Sequence, residues 1–342
     1  MRRREFITGT AATAAMGLAQ PTFAQTETRL PAIKRIAMVH PSEPPEGLSI
    51  NGRPAYQAFF GELSKLGYNE GQNLILERYS AFGHSNGYED VARAIVAGHP
   101  DLIVSLGGPV TRVLKPLTAT IPILAITSDP VAGGMVTNLA KPDRNITGAT
   151  TDVGLEIWGK RLELLRETVG KLINVRFLMP PSLIAFWEMA GGPARALEAA
   201  RRDGIAFGTA LVAEPFDWQD FERKFNAMAA EKVDGLMVGA VAEFFTYRQL
   251  IVDAAARHHL PAIYFAREWV DIGGLLSYGY DTVAIMRRIA DMTDQILKGA
   301  KPGDIPFYQP TKLELVLNRT TARSLELEFP PSLLAAADEI IG

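Results

Sequence analysis

The sequence predicts an α/β protein made of two doubly wound parallel-sheet lobes, and three observations carry that prediction. From Ile36 onward short apolar, β-rich runs alternate with segments of helical period. The runs are continuously apolar instead of alternating in and out, which indicates strands covered on both faces and hence parallel sheets. The β/α pattern also runs through two consecutive sets, one closing at Ile146–Thr150 and the next opening at Glu156, which implies two sheets.

The elements follow in order. Ile36-Ala37-Met38-Val39-His40 is a buried-strand candidate, and Tyr56–Leu66 is a helix with Phe59, Phe60, Leu63 and Leu66 inward. Strands are expected at Leu74–Tyr79, Leu102–Leu106 and Pro122–Thr127, with helices at Tyr88–Ala97 and Val110–Leu117 between them. In the second set, the helix Glu156–Val169 places Trp158, Leu162, Leu165 and Val169 on one face. Strands follow at Val175–Met179, Thr209–Val212, Leu236–Gly239, Ala262–Phe265 and Leu275–Tyr278, separated by helical stretches ending near Arg202, Ala230 and His258. The tail adds a strong helix at Val283–Leu297, a strand at Lys312–Leu317 and a final helix at Pro331–Ile340 opened by proline. Neither lobe needs all of these, so the chain is expected to cross between lobes more than once.

Composition narrows the function. The chain has 342 residues, 47% of them hydrophobic, and 35 Lys and Arg against 38 Asp and Glu give a formal charge of −3. There is enough apolar residue for real cores and no electrostatic footprint for nucleic acid. Zero cysteine excludes disulfides, thiolate metal sites, cysteine nucleophiles and a lipidated cysteine. At the N-terminus, Arg2-Arg3-Arg4-Glu5-Phe6-Ile7 carries a twin-arginine pattern, a weakly apolar stretch runs from Ile7 to Leu18, and Thr22-Phe23-Ala24 offers small residues for cleavage. A basic amphipathic helix or membrane anchor is the alternative, but the stretch is far shorter than the roughly 20 residues a bilayer span needs. We therefore expect a signal peptide at 1–24. Its removal takes three Arg and one Glu and leaves 318 residues at −5, bound for the periplasm.

Ligands of parallel α/β sheets bind beyond the carboxyl ends of the strands, so those ends are the candidate site. In the first set they are His40-Pro41-Ser42, Gly107-Gly108-Pro109 and Ser128-Asp129. Glycines at a helix start let a ligand approach the backbone, and free N–H groups there suit a carboxylate; equally, the same triplet is an ordinary tight turn. Asp129 reads both as a helix cap and as a ligand contact. In the second set the ends are Pro181-Ser182, Ala240-Val241 and Arg267-Glu268, with Phe186, Trp187, Phe244, Phe245, Tyr264, Trp269 and Tyr278 nearby. The chain has no Gly-x-Gly-x-x-Gly, Walker loop, Gly-x-Ser-x-Gly or His-Glu-x-x-His. Its five histidines are dispersed, and no acidic cluster has calcium-loop spacing, so neither a metal nor a cofactor nor a catalytic residue is expected.

A series of segments makes the chain resemble the ABC transporter substrate-binding proteins of the tryptophan-binding-protein-like family, of type I periplasmic-binding-protein-like fold. They are Arg2–Ile7, Leu66–Asn73, Ile103–Gly108, Ser128–Val131, Asn145–Gly148, Lys160–Arg166, Pro261–Tyr264, Gly273–Gly279, Gln309–Val316 and Pro330–Leu334, in order over nearly the whole chain. The resemblance implies two lobes, 30–149 plus 281–309 and 150–280 plus 310–342, joined by three hinge crossovers with the ligand between them. It places hinge residues at Thr147, Gly148, Ser277, Tyr278, Gly279 and Pro310, and ligand contacts at the strand ends above. It further implies a monomer that hands a small molecule (an amino acid, aromatic acid or other small carboxylate) to an ABC permease in the inner membrane. Two segments depart from the family. The loop Pro180–Trp187 replaces an Asn-Pro-rich one, and Gly239-Ala240-Val241-Ala242-Glu243-Phe244-Phe245 stands where many relatives have Gly-Ala-Asp-Pro-Phe-Phe, so the second-lobe wall is expected to be less polar. On this reading the start of the helix at Gly108 holds a carboxylate, Arg267 adds a charge from the other lobe, and Trp187 or Phe244 packs on an apolar moiety. An exported α/β enzyme using His40 or Asp129, or a ligand-sensing subunit on the same scaffold, are the alternatives.

Overall fold

The computed structural model describes residues 33–342 apart from 143, 152, 153, 155 and 185–191. The expected signal peptide and Trp187 therefore lie outside the described residues.

The first sheet is five-stranded and parallel, in the order β2-β1-β3-β4-β5: β1 Lys34–His40, β2 Leu74–Ser80, β3 Leu102–Ser105, β4 Ile123–Thr127 and β5 Ile146–Thr150. Its central strands are apolar on both faces because both faces are covered. Ile36, Met38, Leu102 and Val104 pack with Tyr56, Phe59 and Leu63 of α1 (Pro54–Lys65). Their neighbours Ala37, Val39 and Ile103 pack on the opposite side with Tyr88, Ala92 and Ile95 of α2 (Tyr88–Ala97) and Val110 and Leu114 of α3 (Gly108–Leu117). The strand period of two thus distributes one apolar run between two cores.

The second sheet is seven-stranded, in the order β12-β11-β10-β9-β8-β6-β7. Its strands are β6 Asn174–Met179, β7 Ala206–Leu211, β8 Gly235–Val238, β9 Ala262–Tyr264, β10 Leu276–Tyr280, β11 Leu313–Asn318 and β12 Glu339–Ile341. Helices α4 (Glu156–Val169) and α5 (Gly192–Arg202) pair on one side, while α6 (Trp218–Ala230) and α7 (Arg248–Arg257) supply Phe221, Phe225, Ile251 and Val252 to the other. A short helix that the periodicity does not reveal, α8 (Arg267–Asp271), follows β9.

The chain passes between the sheets three times. It leaves β5 at Thr150 and enters α4 at Glu156; Asp281, which caps α9 (Thr282–Leu297) through its side chain, leads from β10 back to the first sheet. Tyr308, bridged to Ala149, precedes the return to β11 at Leu313. The surplus tail is thereby used: α9 packs along α1, with Tyr68 donating to Asp294 at 3.0 Å, and β11 returns antiparallel to β10. The expected hinge residues Thr147 and Gly148 lie in β5, Ser277, Tyr278 and Gly279 in β10, and Pro310 in the third crossover.

Thr150, the last residue of β5, pairs with Thr127 in the first sheet. One expectation is corrected. The helix expected over Pro331–Ile340 stops at Ala336 as α11 (Pro331–Ala336), after α10 (Arg319–Ser324). Ala337 is extended, the Asp338 amide donates to Leu315 O while its Oδ2 accepts from the Leu315 amide, and Glu339–Ile341 joins the sheet edge beside β11. An apolar pair at the chain end suits either element locally; the open edge of β11 decides in favour of the strand.

Candidate functional site

A cavity of about 400 Å³ lies between the two lobes. From the first lobe it is lined by His40, Arg53, Tyr56, Tyr88, Gly107, Gly108, Pro109, Arg112, Ser128, Asp129, Ile285 and Met286, among others. From the second come Pro180, Ser182, Glu214, Ala240, Val241, Glu243, Phe245 and Phe265, while Thr151, Tyr280 and Thr282 reach it from the crossovers.

His40 ends β1 and is buried, with Nδ1 accepting the backbone N–H of Ser42 (3.1 Å) and of Glu43 (2.8 Å). Burial, and after it the nearby Arg53 charge, holds its pKa well below the ordinary value. The ring is therefore neutral and carries its proton on Nε2, which leaves a donor for the cavity.

Arg53 stands just before α1, where Pro54 starts the helix. Its guanidinium lies 4.5 Å from the Tyr56 ring centroid and 4.2 Å from that of Phe245, so a first-lobe cation is sandwiched against a second-lobe aromatic. Nε sits 3.2 Å from Glu43 Oε2 without hydrogen-bond alignment. Arg248 and Glu268 also act electrostatically on Arg53 or its neighbourhood, so two cations face two carboxylates. Burial pushes the Tyr56 and Tyr280 phenols up to about 12, keeping both neutral donors.

At the start of α3, Gly107 has no side-chain cap, and the first intrahelical bond runs from Thr111 N to Gly107 O. The amides of Gly108 and Val110 precede it, and Pro109 has none to offer. A Cβ at Gly107 would meet Pro41 at 2.9 Å and one at Gly108 would meet Thr127 Oγ1 at 2.8 Å, so the wall is bare backbone here for steric reasons. Asp129 Oδ1 accepts from the amides of Val131 and Ala132, so it caps a turn where a helix was expected, and the residue also lines the cavity.

Opposite, Glu243 is buried in the turn after β8 and accepts a 2.6 Å hydrogen bond from Tyr88 of the first lobe. Further bonds join the lobes: Ser42 Oγ to Thr246 Oγ1 at 2.7 Å, and Thr282 Oγ1 donating to Glu268. The lobes are thus in direct polar and aromatic contact around the cavity.

Nine of the expected contacts line it: His40, Gly107, Gly108, Pro109, Ser128, Asp129, Ser182, Ala240 and Val241. The other described ones are placed differently. Ser42 is behind the wall as an interlobe bond, and Pro181 is exposed while its neighbours line the cavity. Phe244 is fully buried against Phe216 and Phe221, so Phe245 is the aromatic that lines. Arg267 points to the exterior, paired with Glu339 and Asp271, because β12 brings an acid beside it. Glu268 is buried beside Thr282 rather than lining. Within the segment expected to be less polar than in relatives, Glu243 supplies a carboxyl to the wall. Arg53, Tyr56, Tyr88, Arg112, Glu214 and Tyr280 were not legible as contacts. The Arg-Pro step before α1 is the one local signal, and the rest depend on how the lobes meet. Among the described residues no group of His, Asp and Glu is arranged to hold a metal.

Two α/β lobes around a lined interlobe cleft, threaded by three crossovers, define a ligand receptor of the type I periplasmic-binding class. Residues 53–341 match the family model for ABC transporter substrate binding proteins, and the chain belongs to that family. It is similar to the tyrosine-binding protein of Clostridioides difficile (strain R20291), 21% identical over 296 residues, 80% of this chain and 77% of that one. Among solved structures, a conserved domain protein from Vibrio cholerae O1 biovar El Tor superposes with a TM-score of 0.76 at 25% identity, covering 90% of this chain and 99% of that one. An ABC domain in complex with L-Trp from Streptococcus pneumonia superposes with a TM-score of 0.76 at 22% identity, covering 91% and 100%.

Proposed function

We propose that this substrate-binding protein captures an amino acid with an aromatic or large apolar side chain by closure of its lobes and delivers it to an ABC permease. The composition of the cavity wall carries the reading. Bare amides at the start of α3 and the Arg53 guanidinium suit a carboxylate, and they share one cavity with the apolar surfaces of Tyr56, Phe245, Phe265, Ile285 and Met286. A ligand touching both lobes stabilises the closed arrangement over any open one, which is how capture becomes a signal. A relative named as tyrosine-binding and a neighbour holding L-Trp support the ligand class. The twin-arginine pattern and Ala24 support export to the periplasm with cleavage, where the chain acts as a monomer. Binding is favoured over catalysis because His40 Nδ1 and Asp129 Oδ1, the acid–base candidates, are both committed to backbone amides.

A thermal-shift panel of aromatic and aliphatic amino acids and small carboxylates tests this. A ligand at 100 times its Kd adds about 2.7 kcal/mol of stability. We expect the largest shifts with aromatic amino acids and their loss in Arg53→Ala. A panel without any shift overturns the reading.

A further inference from the structure

The cleft contains a carboxyl that no cation among the described residues neutralises by contact. Glu243 is 5% exposed, and its hydrogen bond from Tyr88 crosses from one lobe to the other at 2.6 Å. The groups that face it are few: Tyr88 on α2, Arg112 on α3 and Glu214 beyond β7. Arg112 is exposed and makes no ion pair among the described residues. Ser42 and Thr246, bonded to each other beside it, carry no charge, and His40 is neutral. Beyond Phe245, Arg53 and Arg248 are offset by Glu43 and Glu268. Burial raises the Glu243 carboxyl above the ordinary carboxylate range; the Tyr88 bond and its own backbone amide oppose this, Glu214 adds to it and Arg112 opposes it.

We propose that Glu243 is the specificity-determining residue for the ligand's ammonium group and reads it by proton exchange. In the ligand-free protein the carboxyl carries a proton. An incoming –NH3+ takes that proton's place against the carboxylate, which goes on accepting from Tyr88, and the displaced H+ leaves to solvent. At this subsite charge balances, one ammonium group arriving as one proton leaves, while the ligand's own carboxylate is met by Arg53 and the amides at the start of α3. Glu214, in the same wall, adds to the attraction for the ammonium group. This rests on the amino-acid reading above, and it adds that capture of an amine ligand releases a proton whereas capture of the corresponding desamino acid does not.

The test compares the wild type with Glu243→Gln, which keeps size and shape without a titrating group. Without ligand, urea unfolding between pH 4.5 and 8 is expected to show the wild type losing stability relative to the variant as pH rises. A carboxyl with a raised folded-state pKa stabilises below its unfolded value of 4.5 and loses that contribution above it. A pH-independent difference overturns the proposal whatever the ligand. Calorimetry at pH 6 in two buffers of different ionisation heat then uses L-tryptophan, L-tyrosine and their desamino acids as probes. We expect proton release by the wild type with the amines alone. We expect none in Glu243→Gln, with at least about tenfold weaker amine binding, the scale of a lost hydrogen bond to a charged group. Equal proton counts in both proteins overturn the proposal and leave the ligand class standing. Failure of every amine probe to bind overturns the ligand class and the proposal with it.

Discussion

At the scale of single residues, position relative to the strand ends was a good guide to neighbourhood and a poor one to orientation. Phe244 and Phe245 are adjacent in sequence, yet one is core and the other faces the cleft. Phe244→Ala should cost about 3–5 kcal/mol in urea unfolding, as expected for emptying a packed aromatic site. Arg267→Ala should leave ligand affinity within twofold, because its half-exposed side chain is occupied with Glu339 on the outer surface. His40 gives a pH signature of its own. Its folded-state pKa is depressed, so it stabilises the protein above the ordinary histidine value of 6.5, and the contribution is lost as pH falls. His40→Asn, which keeps an acceptor near the Nδ1 position, should remove that acid-side loss, measurable as a flatter dependence of the unfolding free energy between pH 7 and 5.

At the scale of elements, most strands and helices were legible because their apolar periodicity is strong and their cores are two-sided. What was not legible was decided by partners distant in sequence. The segment Glu339–Ile341 is a strand only because β11 leaves an edge open beside it, and Arg53 matters only because Phe245 of the other lobe closes over it. Two glycines near the crossovers are fixed by close strand approach. A Cβ at Gly148 would lie 1.9 Å from Ala125 O, and one at Gly279 would lie 1.8 Å from Phe265 O. Gly148→Ala must therefore push β5 from β4, and we expect a loss of about 1–3 kcal/mol or more, read from the urea midpoint. The resulting displacement would also reach Tyr308, whose amide donates to Gly148 O at 2.8 Å and which precedes the third crossover.

At the scale of the molecule, the apolar core is continuous between the lobes: Tyr56 and Phe59 of the first belong to the same buried cluster as Phe244, Phe265 and Trp269 of the second. Polar bonds add to it at Ser42–Thr246 and Tyr88–Glu243. Every bond between the lobes favours the closed arrangement, so these contacts set part of the balance between closed and open forms on which a ligand acts. The double variant Ser42→Ala, Tyr88→Phe should expand the ligand-free protein in small-angle X-ray scattering and weaken ligand binding several-fold through a faster off-rate. An unchanged radius of gyration and unchanged affinity would show that these bonds do not contribute to closure.

The sequence by itself determined the class of fold, the order of nearly all its elements, the family, and the strand-end segments from which the cleft is built. It could do so because apolar period, glycine-proline punctuation and helix starts are local physics. Only the tertiary structure decided which side chains look into the cleft. It put Arg53 between Tyr56 and Phe245, turned Arg267 outward to Glu339, and set the Glu243 carboxyl against Tyr88. Those choices depend on two lobes meeting across three crossovers, and contact between lobes leaves no periodic trace in the chain.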